Sequence, residues 1–329
     1  GPALEETRRA LRSVLAYFLY RDLERGWRVT SPNLEQCGLL EFEYVAIDEV
    51  SGDQSTWEEK NAHAALVAAT PEQRRHVIRV LLDHLRRSLT IKEDSLIPNY
   101  QERISEQSRQ RLRDPWVIED ARDMVRAGVA WPRSRIERER QEDLCISPRS
   151  NFGQFLRRPG VLPDLGDRLT LDDTGEIILS LFRCLKPWGL VEEVRSPREG
   201  SQVPGYQLPS SVMIWKAGDG SRSMFDPLRI TRQSETELRG NLYFVDLYKG
   251  FADIGSGLEG REHTAQVQAD TRQEREEEFR RAELPILFCS PTMELGVDIA
   301  QLNVVNMRNV PPTPANYAQR SGRAGRSGQ

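Results

Sequence analysis

The residues of this chain whose types and spacing best suit chemistry are the arginines of Gln319-Arg320-Ser321-Gly322-Arg323-Ala324-Gly325-Arg326. Arg320, Arg323 and Arg326 recur about one helical turn apart, so on a helix they project from nearly one face. Gly322 and Gly325 between them let the backbone approach a ligand closely. A guanidinium is planar, always charged and able to fork onto two oxygens, which suits phosphate. Such a set can stabilise charge on a transferring phosphoryl group, where a delivered arginine is worth roughly 10³–10⁵ in rate. A solvated basic loop is the plainer alternative for Gly-Arg-Ala-Gly-Arg taken alone.

These arginines need a scaffold, and the chain upstream offers one. Pro285-Ile286-Leu287-Phe288-Cys289 is a short apolar run that reads as a buried parallel strand. Ser290-Pro291-Thr292 and Glu294-Leu295-Gly296-Val297-Asp298-Ile299 follow it. Glu262-His263-Thr264, then Arg272 and Phe279, precede it. On these residues the stretch from Gly240 to Gln329 resembles the superfamily 2 helicases. Gln319 to Arg326 match that superfamily's sixth motif, Q/H-R-x-G-R-x-G-R, at every fixed position. Ser290 to Ile299 match its fifth, and His263, Arg272 and Phe279 echo its strand-end histidine and R-x6-F helix.

The resemblance implies an α/β RecA-like domain, the second of two between which ATP binds. It implies that Arg323 and Arg326 reach the γ-phosphate, with Arg326 the better finger candidate, and that Gln319 senses the nucleotide. Asp298 would accept from the ribose hydroxyl, with Gly296 beside it. Ser290 and Thr292 would touch a nucleic-acid backbone, and His263 and Arg272 would help track it. Contacts of this kind position a strand without reading its sequence. The implied cofactor is ATP with Mg2+, whose ligands belong to the first motor domain. The chain has no G-x-x-x-x-G-K-[ST] loop and no D-E-x-[HD] box. The chain alone is therefore expected to be inactive. Its expected partner is the first RecA-like domain of the same parent chain, upstream of Ala3, and the second domain is expected to run on past Gln329. Gly1-Pro2 has the look of a protease-cleavage remnant.

Two departures from the common pattern narrow the resemblance. Met293-Glu294 stands where small residues are usual, and Asn309 to Pro314 is a loop stiffened by Pro311, Pro312 and Pro314. In these features the chain is similar to large bacterial helicases with a long insertion between their motor domains. The DISARM phage-defence helicase DrmA is one of these and, more loosely, the MrfA and Lhr types are others. That implies a place in anti-phage defence and leaves a defence-system subunit among the partners.

Composition sets outer limits. At 329 residues there is room for two or three domains. The chain is 38% hydrophobic with no run long enough to cross a bilayer, and a cytoplasmic protein with no membrane partner is expected. Cys37, Cys145, Cys184 and Cys289 lie far apart, which argues against a zinc site or a disulfide framework, and no metal ligands are assigned. The net charge of −4 carries no global basic signature.

Along the chain we expect a helical insertion region over 1–130, a winged-helix-like α+β module over 131–225 and the partial RecA-like domain over 226–329. Ala3 to Leu23 reads as a helix with Leu11, Val14, Leu15, Phe18 and Leu19 on one face. From Trp57 to about Arg126 the pattern is helical throughout, with Thr70-Pro71-Glu72-Gln73 a helix start. Asp48-Glu49 reads as a solvated turn. Gln101 to Arg140 is dense in arginine, either a nucleic-acid surface or a solvated face of internal ion pairs. A helix bearing Ile177, Ile178, Leu181 and Leu185 precedes two strands, Leu190 to Val194 and Gly205 to Leu208, joined by a polar loop. That is the pattern of a winged helix, which places its helix or its wing in a DNA groove, with Arg195, Arg198 and Gln202 near the wing tip.

The leading reading is the insertion and partial second motor domain of an ATP-dependent DNA helicase or translocase, acting on single-stranded DNA or a tailed duplex. An RNA helicase competes with it. The winged helix favours DNA, because duplex RNA hides its major groove from side chains. A partner-holding regulatory fragment without motor activity is the alternative of a different class.

Overall fold

A computed structural model describes residues 2–24, 32–132, 142–163, 166, 168–197, 203–229, 241–254, 259–264, 267–289, 304–307, 309–311 and 313–321. The chain divides into two compact units, Gly1–Val245 and Asp246–Gln329.

The first unit runs through α1 (Pro2–Glu24), β1 (Leu40–Tyr44), α2 (Ile47–Gly52), α3 (Gln54–Glu59), α4 (Ala64–Val67), α5 (Pro71–Arg87), β2 (Ile91–Lys92) and α6 (Pro98–Arg111). It continues with β3 (Ala130–Pro132), β4 (Leu144–Ile146), α7 (Asn151–Leu156), α8 (Leu171–Leu185), β5 (Glu192–Arg195), β6 (Gly205–Pro209) and β7 (Met213–Ala217). α9 (Leu242–Ile254) crosses the division, and β8 (Gly260–His263), α10 (Ala269–Arg280), β9 (Ile286–Cys289) and α11 (Pro314–Ser321) follow.

Two helices with the same starting device carry the core of the first unit. At α5, Gln73 N donates to Thr70 Oγ1 (3.2 Å) while Thr70 N donates to Gln73 Oε1 (3.0 Å), and Pro71 fills the first helical position. At α8, Thr170 and Asp173 make the same reciprocal pair at 3.1 and 2.9 Å. Both helices then turn apolar residues inward: Val77, Ile78, Leu81, Leu82 and Leu85 from α5, and Ile177, Ile178, Leu181, Phe182 and Leu185 from α8. Each such side chain contributes about 1.5–3 kcal/mol by leaving water. One hydrophobic core extends from Val14 on α1 to Met213 on β7.

β6 is the hub of a five-stranded sheet, parallel to β2 and antiparallel to both β3 and β5, with β4 parallel to β3. β1 pairs antiparallel with β7, from Leu40↔Ala217 to Tyr44↔Met213. The turn after β7 closes on Gly38, where φ is +69° and a Cβ would fall 1.8 Å from the carbonyl oxygen of Arg222. Only glycine fits there.

Among the described residues, two arginines are fully buried. Arg74 donates to the carbonyls of Leu66 (2.8 Å) and Val67 (2.6 Å), so it satisfies main-chain groups at the end of the four-residue α4. Arg86 lies over the Phe42 ring and forks onto Glu35 at 3.0 and 2.5 Å, with Asp83 at 3.1 Å. Tyr44 Oη donates to Asp83 at 2.7 Å.

The structure differs from the sequence reading in three places. The helical pattern does not run from Trp57 to Arg126: α6 ends at Arg111, β2 interrupts earlier, and irregular chain leads to β3. Pro115, just beyond α6, cannot extend a helix and biases Asp114 away from helical geometry. Leu15 and Leu19, expected on the packed face of α1, are 38% and 58% exposed, because the helix meets the core through Val14, Tyr17 and Leu23, with Phe18 and Tyr20 packed at its margin. Asp48 and Glu49 sit not in a loop but in the first turn of α2, where negative charge complements the helix dipole.

Candidate functional site

The second unit places His263 and Arg272, two of the expected motor residues, on a β–α–β element. β8 and β9 pair in parallel, from Gly260↔Ile286 to His263↔Cys289, and α10 connects them. Parallel pairing agrees with the apolar run, but burial does not. Ile286 and Phe288 are 40% and 63% exposed, and no described residue covers that face. α10 is mostly charge and holds itself by pairs along its surface, such as Arg281 to Glu277 at 3.1 Å.

The carboxyl end of β8 is stitched to α10. The His263 ring is fully buried, and its Nε2 lies 2.7 Å from Glu276 Oε1. Arg275 Nη1 donates to the carbonyl of Glu262 at 2.5 Å, and Thr264 Oγ1 donates to Glu262 Oε1 at 2.6 Å. In parallel α/β sheets, ligands gather beyond such carboxyl ends. The imidazole was expected to reach a nucleic-acid backbone. In the structure the ring is buried against Glu276. Arg272 sits on α10, half-buried. Glu276 and Arg275, which hold the strand end, escaped the sequence reading. The signal was available, since both fall within the R-x6-F helix on turns that can face β8.

Ser290, Thr292, Gly296, Asp298, Arg323 and Arg326 lie outside the described residues. Gln319 falls on α11, whose start is set by Thr313, its Oγ1 accepting from Asn316 N at 3.2 Å, and by Pro314 in the first position. No three Asp, Glu, His or Cys side chains converge as a metal site among the described residues.

The winged-helix expectation divides. The helix and hairpin exist, with β5 antiparallel to β6 and an irregular register between Glu193 and Arg195. α8 is not free to enter a groove. Its inner face is core, and its outer face is engaged by the chain's own loop at residues 60–63. Arg183 donates to the carbonyls of Lys60 and Asn61, both at 2.9 Å, His63 N donates to Ser180 Oγ at 3.1 Å, and His63 Nε2 lies 3.5 Å from Asp173. On β5, Glu192 is exposed and Glu193, Val194 and Arg195 are half-buried. Lys92 pairs with Glu192 and Lys186 with Glu193, while Arg195 pairs with no described carboxylate. Arg198 and Gln202 lie outside the described residues.

The arginine-dense stretch shows the character of a solvated, paired face. Arg111 reaches Glu6 at 2.6 Å, Arg122 reaches Asp120 at 2.7 Å, and Arg103 lies over the Tyr100 ring at 4.3 Å. Arg133, Arg135, Arg138 and Arg140 lie outside the described residues. No described helix is long and apolar enough to cross a membrane.

Residues 241–328 match the helicase conserved C-terminal domain. Over 45 residues the chain is 58% identical to the Druantia protein DruE of Escherichia coli (strain UMEA 4076-1), a stretch that is 14% of this chain and 2% of that protein. No solved structure matches. The family match spans the last quarter of the chain and takes in the parallel β8–α10–β9 element.

Proposed function

We propose that this chain is part of an ATP-dependent superfamily 2 DNA helicase or translocase, acting in bacterial anti-phage defence. Residues 226–329 form its second motor domain, and 1–130 and 131–225 form an insertion ahead of it. The observation that carries this reading is the helicase C-terminal domain match over residues 241–328, where a parallel strand pair ends at His263 and Cys289. In the reading, Arg323 and Arg326 deliver positive charge to the γ-phosphate and Gln319 senses the nucleotide. Asp298, with Gly296 beside it, holds the ribose. Ser290, Thr292 and Arg272 contact the nucleic-acid backbone. When bound, ATP with Mg2+ supplies the phosphoryl chemistry, its metal held by another domain of the parent protein. Closure of the cleft is converted into a step along the strand, because one loop carries both the backbone contacts and Asp298.

In the first unit, Arg195 and Arg198 contribute backbone contacts from the hairpin. The engagement of α8 by residues 60–63 favours a wing-only contact. The bacterial defence setting, with a partner subunit, rests on the likeness to large insertion-bearing helicases.

The experiment is ATP turnover by the full-length protein, wild type and Arg326→Ala, with single-stranded DNA, duplex DNA, RNA and no nucleic acid. DNA-stimulated turnover that is lost in the variant is the expected result. Unchanged turnover in Arg326→Ala removes the finger assignment, and stimulation by RNA alone transfers the reading to RNA. A folded protein with no turnover under any condition supports the partner-holding alternative.

A further inference from the structure

The carboxyl end of the β8–β9 pair holds a side chain that the described residues leave half satisfied. His263 is fully buried, its Nε2 engages Glu276 Oε1 at 2.7 Å, and its Nδ1 is buried with no hydrogen-bond partner among the described residues. Buried polar atoms are rarely left alone, because the water they surrender is not replaced. The position matters as well. His263 is in register with Cys289, at the edge of the sheet where the chain leaves both strands.

A carboxylate that accepts from one ring nitrogen decides what the other can do. A ring that gives Nε2–H to Glu276 and carries no second proton keeps a lone pair on Nδ1. A lone pair accepts a hydrogen bond from an amide or hydroxyl and repels a phosphate oxygen. We propose that Glu276 is the positioning residue for His263. It fixes the ring as an acceptor through Nδ1 at the carboxyl edge of β8 and β9, so that His263 serves the nucleic-acid contacts of the motor domain by holding a main-chain or hydroxyl donor in place and not by touching phosphate. The proposal rests on the motor-domain reading above. Glu276 is suited to the task, since its other oxygen lies 3.9 Å from Arg280 on the same helix and Arg275 anchors the adjoining turn to Glu262.

The test compares Glu276→Gln, whose amide oxygen still accepts from Nε2–H, with Glu276→Met, which fills similar space and accepts nothing. In the full-length protein with single-stranded DNA, the concentration giving half-maximal stimulation of turnover is expected to rise about tenfold in Glu276→Met and less than about threefold in Glu276→Gln. Glu276→Met, which leaves the buried Nε2–H without an acceptor, is expected to melt below Glu276→Gln, so turnover is compared at a temperature where both variants are fully folded. Nitrogen-15 spectra of histidine-labelled protein, with His263 identified by its loss in His263→Gln, should report the Nε2–H tautomer in wild type and Glu276→Gln and a tautomer mixture in Glu276→Met. Equal effects of the two variants on stimulation, or a wild-type ring protonated on Nδ1, overturn the proposal. A wild-type protein that DNA does not stimulate overturns the motor reading instead, and the spectra then decide the role of Glu276 by themselves.

Discussion

Arg86 and Glu35 form a two-pronged ion pair inside the first unit, the guanidinium at 0% exposure and the carboxylate at 14%. Burial alone would raise the Glu35 carboxyl, but Arg86 and Arg87 outweigh it and hold it below its ordinary value of 4.5. Removing Glu35 leaves the buried Arg86 with Asp83 as its remaining carboxylate partner. Glu35→Ala is expected to cost about 3–5 kcal/mol, while joint replacement of both residues by apolar ones recovers most of it. Urea unfolding of the two variants measures the difference. A depressed carboxyl stabilises fully above its unfolded value and loses that contribution as pH falls through the folded one. The stability from Glu35 should therefore vanish only below about pH 4.5.

His84 supplies a separate and milder acid sensitivity. Burial pushes its imidazole down from 6.5 to about 4, with Asp226 opposing and Arg87 reinforcing. The unfolded chain then binds a proton that the folded one refuses. Stability is full above pH 6.5 and falls as pH drops toward 4. Between pH 7.5 and 5 the wild type should lose up to about 2 kcal/mol that His84→Gln does not lose. Parallel slopes for the two proteins across that range would remove His84 as the cause.

Gly38 tests the packing of the β1–β7 pair. Its positive φ and the Arg222 carbonyl 1.8 Å from a built Cβ predict that Gly38→Ala costs at least about 2–3 kcal/mol. Gly52, which meets nothing within 4 Å, should accept alanine with no loss or a gain of about 0.5–1 kcal/mol. Thermal melts of the two variants give the comparison.

The hairpin and α8 make opposite predictions for DNA. Arg195→Gln should reduce the slope of log affinity against log salt by about one for duplex DNA, without a stability cost. Arg183→Gln, on the outer face of α8, should leave the slope alone and lower stability, since its hydrogen bonds go to Lys60 and Asn61. A slope change in Arg183→Gln would return α8 to the interface.

Local chemistry was readable without a structure. Thr70 with Gln73 starts α5 through contacts only three residues long, and the helix from Ile177 with its hairpin follows from periodicity and a polar turn. The β8–α10–β9 order came from motif spacing. What escaped depends on partners far along the chain. β3 and β4 are three residues each and gain identity only from their neighbours in the sheet. Arg74 and Arg86 look like surface residues in sequence, and only the carbonyls and carboxylates that surround them make burial possible. The burial of His263 has the same cause, because nothing local announces Glu276 across the ring.

The pairing of β1 with β7 bears on how the protein is made. Leu40 waits for Ala217 as its partner, across almost the whole of the first unit. During synthesis at roughly 5–20 residues per second, β1 therefore spends about ten seconds or more outside the ribosome with an open edge. Phe42 and Tyr44, both buried in the finished unit, lie on that edge. A nascent chain halted before Ala217 should bind chaperones and aggregate, and one released after it should not.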